Sequence, residues 1–294
     1  MSAASGGFRD FEHAGWQEAA QAYTTHWAAL TRQAVEPLLD AVGAGPGVRL
    51  LDVATGPGHV AGAAAARGAR ATGVDFAPVM VEAARERYPA VAFQEGEADA
   101  LPFPDASFDA VTIAYGLLHF ERPEQALAEA HRVLQPGGRV AFTVWATPDA
   151  AVGFELILRA VERYGNPNVP LPPAPPFFRF SDAEECRRVL GALGFRDVVV
   201  SQVPQVWRLR SPEQFFEAMR HGTVRTAGLL RGQAPAGLAA IEAAVREAAA
   251  AYQRGDGLEL PMPAVLARGN KPATMPPDDR PRSRPIGPTP TAVG

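Results

Sequence analysis

Residues 50–62 read LLDVATGPGHVAG. An apolar run ends in an aspartate, two glycines follow one residue apart, and small helix-forming residues come next. That is the order of a strand, a tight loop and a helix, and it commits the chain to an α/β architecture. Gly56 and Gly58 let backbone approach a ligand with no Cβ in the way. The helix that follows presents free N–H groups and the positive end of its dipole to an anionic group. A phosphate-binding Walker loop needs Lys-Ser or Lys-Thr after its last glycine, and His59-Val60 stand there instead. Gly56-Pro57-Gly58-His59-Val60-Ala61 does fit G-x-G-x-x-[G/A], with Asp75 following 17 positions after Gly58 (75 − 58). The glycines alone therefore leave a dinucleotide and a cofactor of another shape both open.

The flanking sequence continues the alternation. Residues 11–42 have helical apolar spacing, and GAGPG (43–47) interrupts it. VRLLDVA, ARATGVDF, VAFQEGEA, FDAVTIAYG and GRVAFTVWA read as five strands; HVAGAAAARG, PVMVEAARERYP and PEQALAEAHRVLQPGG read as helices among them. A parallel sheet covered on both faces follows. After Pro148 the rhythm changes. AVGFELILRAVERYG is a helix, NPNVPLPPAPP a proline-rich loop, and SDAEECRRVLGALG a helix that Ser181 and Glu184 would start as a capping box. FRDVVVSQVPQVWRL reads as one strand, SPEQFFEAMRHG as a capped helix, and residues 234–253 as an alanine-rich helix. LELPMPAVLARG reads as a last strand whose two prolines suit an edge. From Lys271 onward the chain is proline-rich without apolar periodicity, which predicts a disordered tail over 271–294.

Several functions are disfavoured at this level. The net charge of −4 gives no overall basic field for nucleic acid or an anionic membrane. MSAASGGFRD lacks a basic segment followed by an apolar one, and no apolar run approaches the length of a bilayer. A single cysteine, Cys186, excludes an internal disulfide framework and a cysteine-based zinc or iron–sulfur centre. The expectation is a cytoplasmic protein, a monomer or homodimer, acting on a small molecule and holding no metal.

Three features outside the fingerprint bear on the cofactor. Asp52 puts a negative charge at the mouth of the glycine loop, which opposes a pyrophosphate and favours a ligand with a cationic amino group. Asp99 ends the third strand in EGEADALPFPDASFD. No second mononucleotide-binding half follows the fifth strand. With LLDVATGPG, GVDFAPVMVEAAR, GEADALPFPDASFDAVTIAYGLLHF and EAHRVLQPGGRVAFTVW in this order, the chain resembles the class I S-adenosylmethionine-dependent methyltransferases, in particular the small-molecule branch that includes the ubiquinone/menaquinone C-methyltransferases. The resemblance runs over about residues 20–146, and beyond that only in element order to about 270.

The resemblance implies a Rossmann-like, doubly wound sheet of seven strands, the last antiparallel. An N-terminal helical lid (1–45) would cover a cofactor-binding domain (46–270), with acceptor-side insertions at about 150–180 and 210–255. It implies S-adenosylmethionine as cofactor and S-adenosylhomocysteine as product. Asp52 would hold the methionine end; Ala54, Thr55, Gly56 and Gly58 would form the loop beneath it, Ala54 standing where many relatives have glycine. Asp75 would accept from both ribose hydroxyls, Phe76 and Met80 would flank the adenine, and Asp99 with Ala100 would receive its amino group. Ala114 and Tyr115 would line the methyl side, and Tyr23 on the lid would face the sulfonium. Phe76, Met80 and the Tyr23/Trp27 pair are also readable as core.

His119 is the histidine near the expected acceptor position and is the candidate general base for a hydroxyl acceptor. The alternative is a packing or capping histidine. His59 is expected to face solvent and His131 to lie on the surface. The FFRF run at 177–180, Trp207, Phe215 and Phe216 would build an apolar acceptor pocket, and ordinary core burial explains the same residues equally well. The expected reaction is O- or C-methylation of a phenolic or polyketide-like small molecule. The rivals are a non-methyl reaction such as cyclisation, quinone C-methylation, a regulatory binding protein, and last a nicotinamide oxidoreductase. Leu118-His119 replaces the Arg-Asn of the quinone-methylating relatives.

Overall fold

The computed structural model describes residues 7–273. Helices α1 (Phe8–His26), α2 (Ala28–Thr31) and α3 (Val35–Val42) lead into β1 (Arg49–Val53), α4 (His59–Ala66), β2 (Arg70–Asp75), α5 (Pro78–Arg87) and β3 (Ala92–Glu95). Then come β4 (Phe108–Ala114), α6 (Pro123–Val133) and β5 (Leu134–Trp145). The later part adds α7 (Val152–Tyr164), α8 (Ala183–Ala192), β6 (Arg196–Val203), β7 (Val206–Leu209) and α9 (Pro212–His221). It closes with α10 (Arg225–Arg231), α11 (Pro235–Ala249), β8 (Gln253–Arg254), β9 (Gly257–Pro261) and β10 (Ala264–Asn270).

The main sheet has seven strands in the order β3-β2-β1-β4-β5-β10-β6. The first five are parallel, and β10 runs antiparallel to both β5 and β6. This is the α/β doubly wound sheet with an antiparallel last strand. Leu50, Leu51 and Val53 on β1 and Val111 and Ile113 on β4 are buried, as strands covered on both faces require. The strand order reverses between β1 and β4, so the crevice for a ligand opens at their carboxyl ends.

Four local expectations are corrected. FRDVVVSQVPQVWRL breaks at Pro204: β6 stays in the main sheet, whereas β7 joins β9 and β8 in a separate three-stranded sheet. LELPMPAVLARG also makes two strands, and β10 lies inside the main sheet rather than at its edge. Pro261 ends β9 and Pro263 falls between the strands, so neither removes a donor from the β10 ladder. The start of α8 is capped by Asp182, which accepts from the Glu184 amide at 2.8 Å, while Ser181 donates to the Trp145 carbonyl at 2.9 Å. Lys271 is anchored: its amide donates to Gly138 at 2.8 Å, and its ammonium to His131 and Leu134 carbonyls. The rest of the expected tail, from residue 274, lies outside the described residues, as do residues 1–6.

Helix α1 buries Phe8, Glu12, Gly15 and Ala19, spaced four, three and four residues apart, which is one helical face. It packs on α5 and α9 and crosses the open end of the sheet, whereas α3 packs on β4 and β5. His131 is half-buried rather than on the surface, with its ring edge-on to Phe195 at 4.8 Å. No helix among the described residues is long and apolar enough to cross a membrane, and no three His, Cys, Asp or Glu side chains there are grouped to hold a metal.

Candidate active site

A cavity of about 490 Å³ opens at the carboxyl ends of β1, β2, β3 and β4 beneath α1. Of the residues singled out from sequence, Tyr23, Ala54, Thr55, Gly56, Asp75, Phe76, Met80, Asp99, Ala100, Ala114, Tyr115 and His119 all line it. Asp52 and Gly58 do not. Segments up to 96 residues apart in sequence (119 − 23) thus converge on one volume.

The glycine loop is shaped by backbone conformation. Ala54, Gly56 and Gly58 all have positive φ, at 54°, 52° and 81°. A Cβ on Gly56 would meet nothing within 4 Å, so its surroundings leave room for a ligand. Gly58 is glycine for a different reason: a Cβ there would lie 2.8 Å from the Phe93 ring and 3.0 Å from Ala84. It serves the packing of the loop against the α5 layer. Tyr115, at the end of β4, also has positive φ (55°). Strained non-glycine residues at two adjacent strand ends are what a backbone shaped around a ligand shows.

Asp75 accepts from the Gly56 amide at 2.8 Å through one oxygen and from the Ala77 amide at 3.0 Å through the other. Each carboxylate oxygen keeps capacity for a further donor. Burial pushes this carboxyl up to about 6, with the amides of Ala77, Gly56 and Phe76 opposing. Asp52 is buried and accepts from the Thr55 hydroxyl at 2.6 Å and the Thr112 hydroxyl at 2.9 Å. Burial pushes Asp52 up to about 7 against those two bonds. It reaches the cavity through Thr55, which corrects the expectation that it faces the loop directly. Asp99 is partly exposed and pairs with Arg122 at 2.6 Å. These carboxylates and the open glycine cradle form an acceptor set that suits a hydroxyl-rich, amino-bearing cofactor.

His119 sits in a 3₁₀ turn just after β4. Its Nδ1 is 2.9 Å from Oε2 of Glu12, a side chain with no exposed surface. A carboxylate only accepts, so Nδ1 donates and Nε2 carries the lone pair. Trp16 fixes the ring edge-on at 5.0 Å and Phe177 at 6.2 Å. Glu12 was not singled out from sequence. The signal for it was a carboxylate on the apolar stripe shared by Phe8, Gly15 and Ala19.

The acceptor side is aromatic. Trp145 stacks on Tyr115 at 4.3 Å and meets Phe154 at 5.6 Å, and Phe154 meets Phe177 at 5.5 Å. The Tyr115 hydroxyl donates to Gln205 at 2.6 Å, and Gln205 donates to the Leu30 carbonyl at 2.9 Å. From the FFRF run, Phe177 lines the cavity. Trp207, Phe215 and Phe216 do not: they are core, Trp207 stacking on Trp27 at 4.2 Å and donating to the His26 carbonyl. His59 does not simply face solvent either. It lines the cavity, bonds the Tyr88 hydroxyl at 3.0 Å, and is pushed down to about 4 by burial first, then by Arg87 and Arg32.

Known proteins resemble this chain in sequence and in fold. Residues 51–142 match the methyltransferase domain family. The demethylmenaquinone methyltransferase of Renibacterium salmoninarum is 40% identical over 140 residues, which is 46% of this chain and 59% of that protein. The chain thus spans less than two thirds of that relative's length. The crystal structure of the [4+2]-cyclase SpnF is 26% identical, covering 82% of this chain and 81% of its own, with a TM-score of 0.51. A phosphoethanolamine N-methyltransferase of Haemonchus contortus, bound to phosphomonomethylethanolamine and S-adenosylhomocysteine, gives a TM-score of 0.55 at 19% identity, over 91% of this chain and 60% of that one. Residues 51–142 thus match a methyltransferase domain, on a fold shared with solved methyltransferases such as the one that binds S-adenosylhomocysteine. Within that class it resembles the ubiquinone/menaquinone C-methyltransferases.

Proposed function

We propose that this protein transfers a methyl group from S-adenosylmethionine to a hydroxyl oxygen of an aromatic small molecule. The observation that carries this reading is His119, which lines the same cavity as Asp75 and the Gly56 loop while Glu12 holds its Nδ1. Asp75 would receive the ribose hydroxyls, Asp99 the adenine amino group, and Phe76 and Met80 the faces of the base. Thr55, held by Asp52, would shape the loop beneath the methionine end. The bound cofactor supplies an electrophilic methyl that carries its own leaving group.

The chain's own residues then have three tasks. Tyr115, Trp145 and Phe154 orient a planar acceptor and exclude water. His119 Nε2 takes the hydroxyl proton as the oxygen attacks. Glu12 holds the ring in that tautomer and offsets the charge the ring acquires.

Incubating the protein with S-adenosylmethionine and a panel of phenolic metabolites tests the reading by mass spectrometry. A gained CH₂ with matching S-adenosylhomocysteine is expected, and a His119→Ala variant should lose most of the rate. Turnover without S-adenosylhomocysteine would instead support a cyclase-type use of the cofactor, which the likeness to SpnF favours. Quinone C-methylation is supported by the 40% identity to a demethylmenaquinone methyltransferase. A demethylated menaquinone in the same panel decides it by the same mass gain.

A further inference from the structure

Four arginines line the cavity; Arg32 is exposed to solvent, and the other three differ in how their charge is met. Arg9 pairs with Glu97 and Arg122 with Asp99, both at the rim. Arg225, the first residue of α10, lies deeper, with its guanidinium over the rings of Phe8 and Phe177 at 5.5 and 5.3 Å. Its Nη1 donates to the Pro175 carbonyl at 3.1 Å, its one side-chain hydrogen bond among the described residues. No carboxylate there lies within ion-pair distance of it. Burial lowers its pKa, and only the field of Glu12 opposes this. Glu12 does not neutralise it by contact: Oε2 is taken by His119, and Oε1 is buried without a partner. A cation drawn out of water and left unpaired is costly unless a counter-charge arrives. Arg225 and His119 also share a neighbour, since both rest against Phe177.

We propose that the acceptor is an aromatic acid whose carboxylate is received by Arg225 while its hydroxyl meets His119. This deepens the methyl-transfer reading above and rests on it. With one nitrogen turned to Pro175, the guanidinium keeps a two-donor edge that matches the two oxygens of a planar carboxylate. The ring of such an acid lies against Phe177 and Phe154, between the cation and the base. Arginine stays charged at every working pH, so the preference for an anion is permanent rather than switched.

The test is calorimetric binding to the full chain saturated with S-adenosylhomocysteine. The probes are 3-hydroxybenzoate, 4-hydroxybenzoate and 6-hydroxy-2-naphthoate, each against its neutral carboxamide and the corresponding aryl phosphate. At least one acid should bind about tenfold or more tightly than its amide, as expected for a charge-assisted bidentate contact. Arg225→Met keeps the stem between the two rings and should bring the acid to the level of the amide, with S-adenosylhomocysteine affinity unchanged. Arg225→Lys, which keeps the charge without the fork, should lose part of the preference. Equal binding of acids and amides by the wild-type chain overturns the proposal, and so does a preference that survives Arg225→Met. Phosphates bound well above carboxylates overturn the carboxylate assignment. Failure to bind S-adenosylhomocysteine at all overturns the methyl-transfer reading itself, and this proposal with it.

Discussion

At the scale of single residues, two buried carboxylates carry the most specific consequences. Asp75 is held up to about 6 by burial, yet its site is built from donors that favour the ionised form. Ligand hydroxyls add to those donors, so S-adenosylmethionine affinity should rise as pH climbs through about 6, with proton release on binding. Calorimetry in buffers of different ionisation enthalpy measures this directly. Asp75→Ala should weaken the cofactor by about 1–3 kcal/mol, the cost of leaving its partners unpaired. Asp52 is held up to about 7, above its value of about 3.9 in the unfolded chain. A carboxyl raised on folding holds its proton more tightly in the native state. Its contribution to stability is therefore fully present below about pH 4 and is lost as pH rises through about 7. Denaturant titrations should find this slope in the wild type and a flatter one in Asp52→Asn. Glu12 was hidden from sequence reading because a glutamate three turns from any motif looks like helix surface. Only the packing of α1 against the β4 turn brings it to His119. Glu12→Gln should lower kcat on a hydroxyl acceptor by about 10²-fold, with S-adenosylhomocysteine affinity unchanged, since the neutral amide no longer offsets the charge the ring acquires as it takes the proton.

At the scale of elements, α1 covers the site because small residues let it approach closely. A Cβ on Gly15 would lie 2.3 Å from Cγ1 of Val224, and Val224 is fully buried next to Arg225. Gly15→Ala should cost about 1–3 kcal/mol through overpacking and should loosen the cover over the cofactor. Thermal denaturation and S-adenosylhomocysteine titration read the two effects separately. The helices and parallel strands were legible from LLDVATGPG onward, because buried runs alternating with helical spacing admit few arrangements. The β-structure after Pro204 was not. Apolar runs around Pro204 and Pro261–Pro263 look continuous in sequence, and which sheet each strand joins depends on partners far along the chain.

At the scale of the whole molecule, β10 closes the main sheet between β5 and β6. Ending the chain after residue 256 removes β9 and β10, breaks their four ladders with β5, β6, β7 and β8, and should abolish cooperative unfolding followed by circular dichroism. Asp99, expected to end the third strand, lies past Glu95, where β3 stops. The sequence by itself determined the sheet's parallel half, the glycine loop and Asp75 at the tip of β2. These are local: period, glycine position and strand ends place them without knowledge of the remainder. Tertiary structure alone decided that Asp52 bonds Thr55, that Trp207, Phe215 and Phe216 are core, that Glu12 bonds His119, and that Arg225 and His119 rest against the same ring, Phe177. Those relations join residues up to 213 positions apart (225 − 12), and a one-dimensional pattern carries no information about which distant side chains share one cavity.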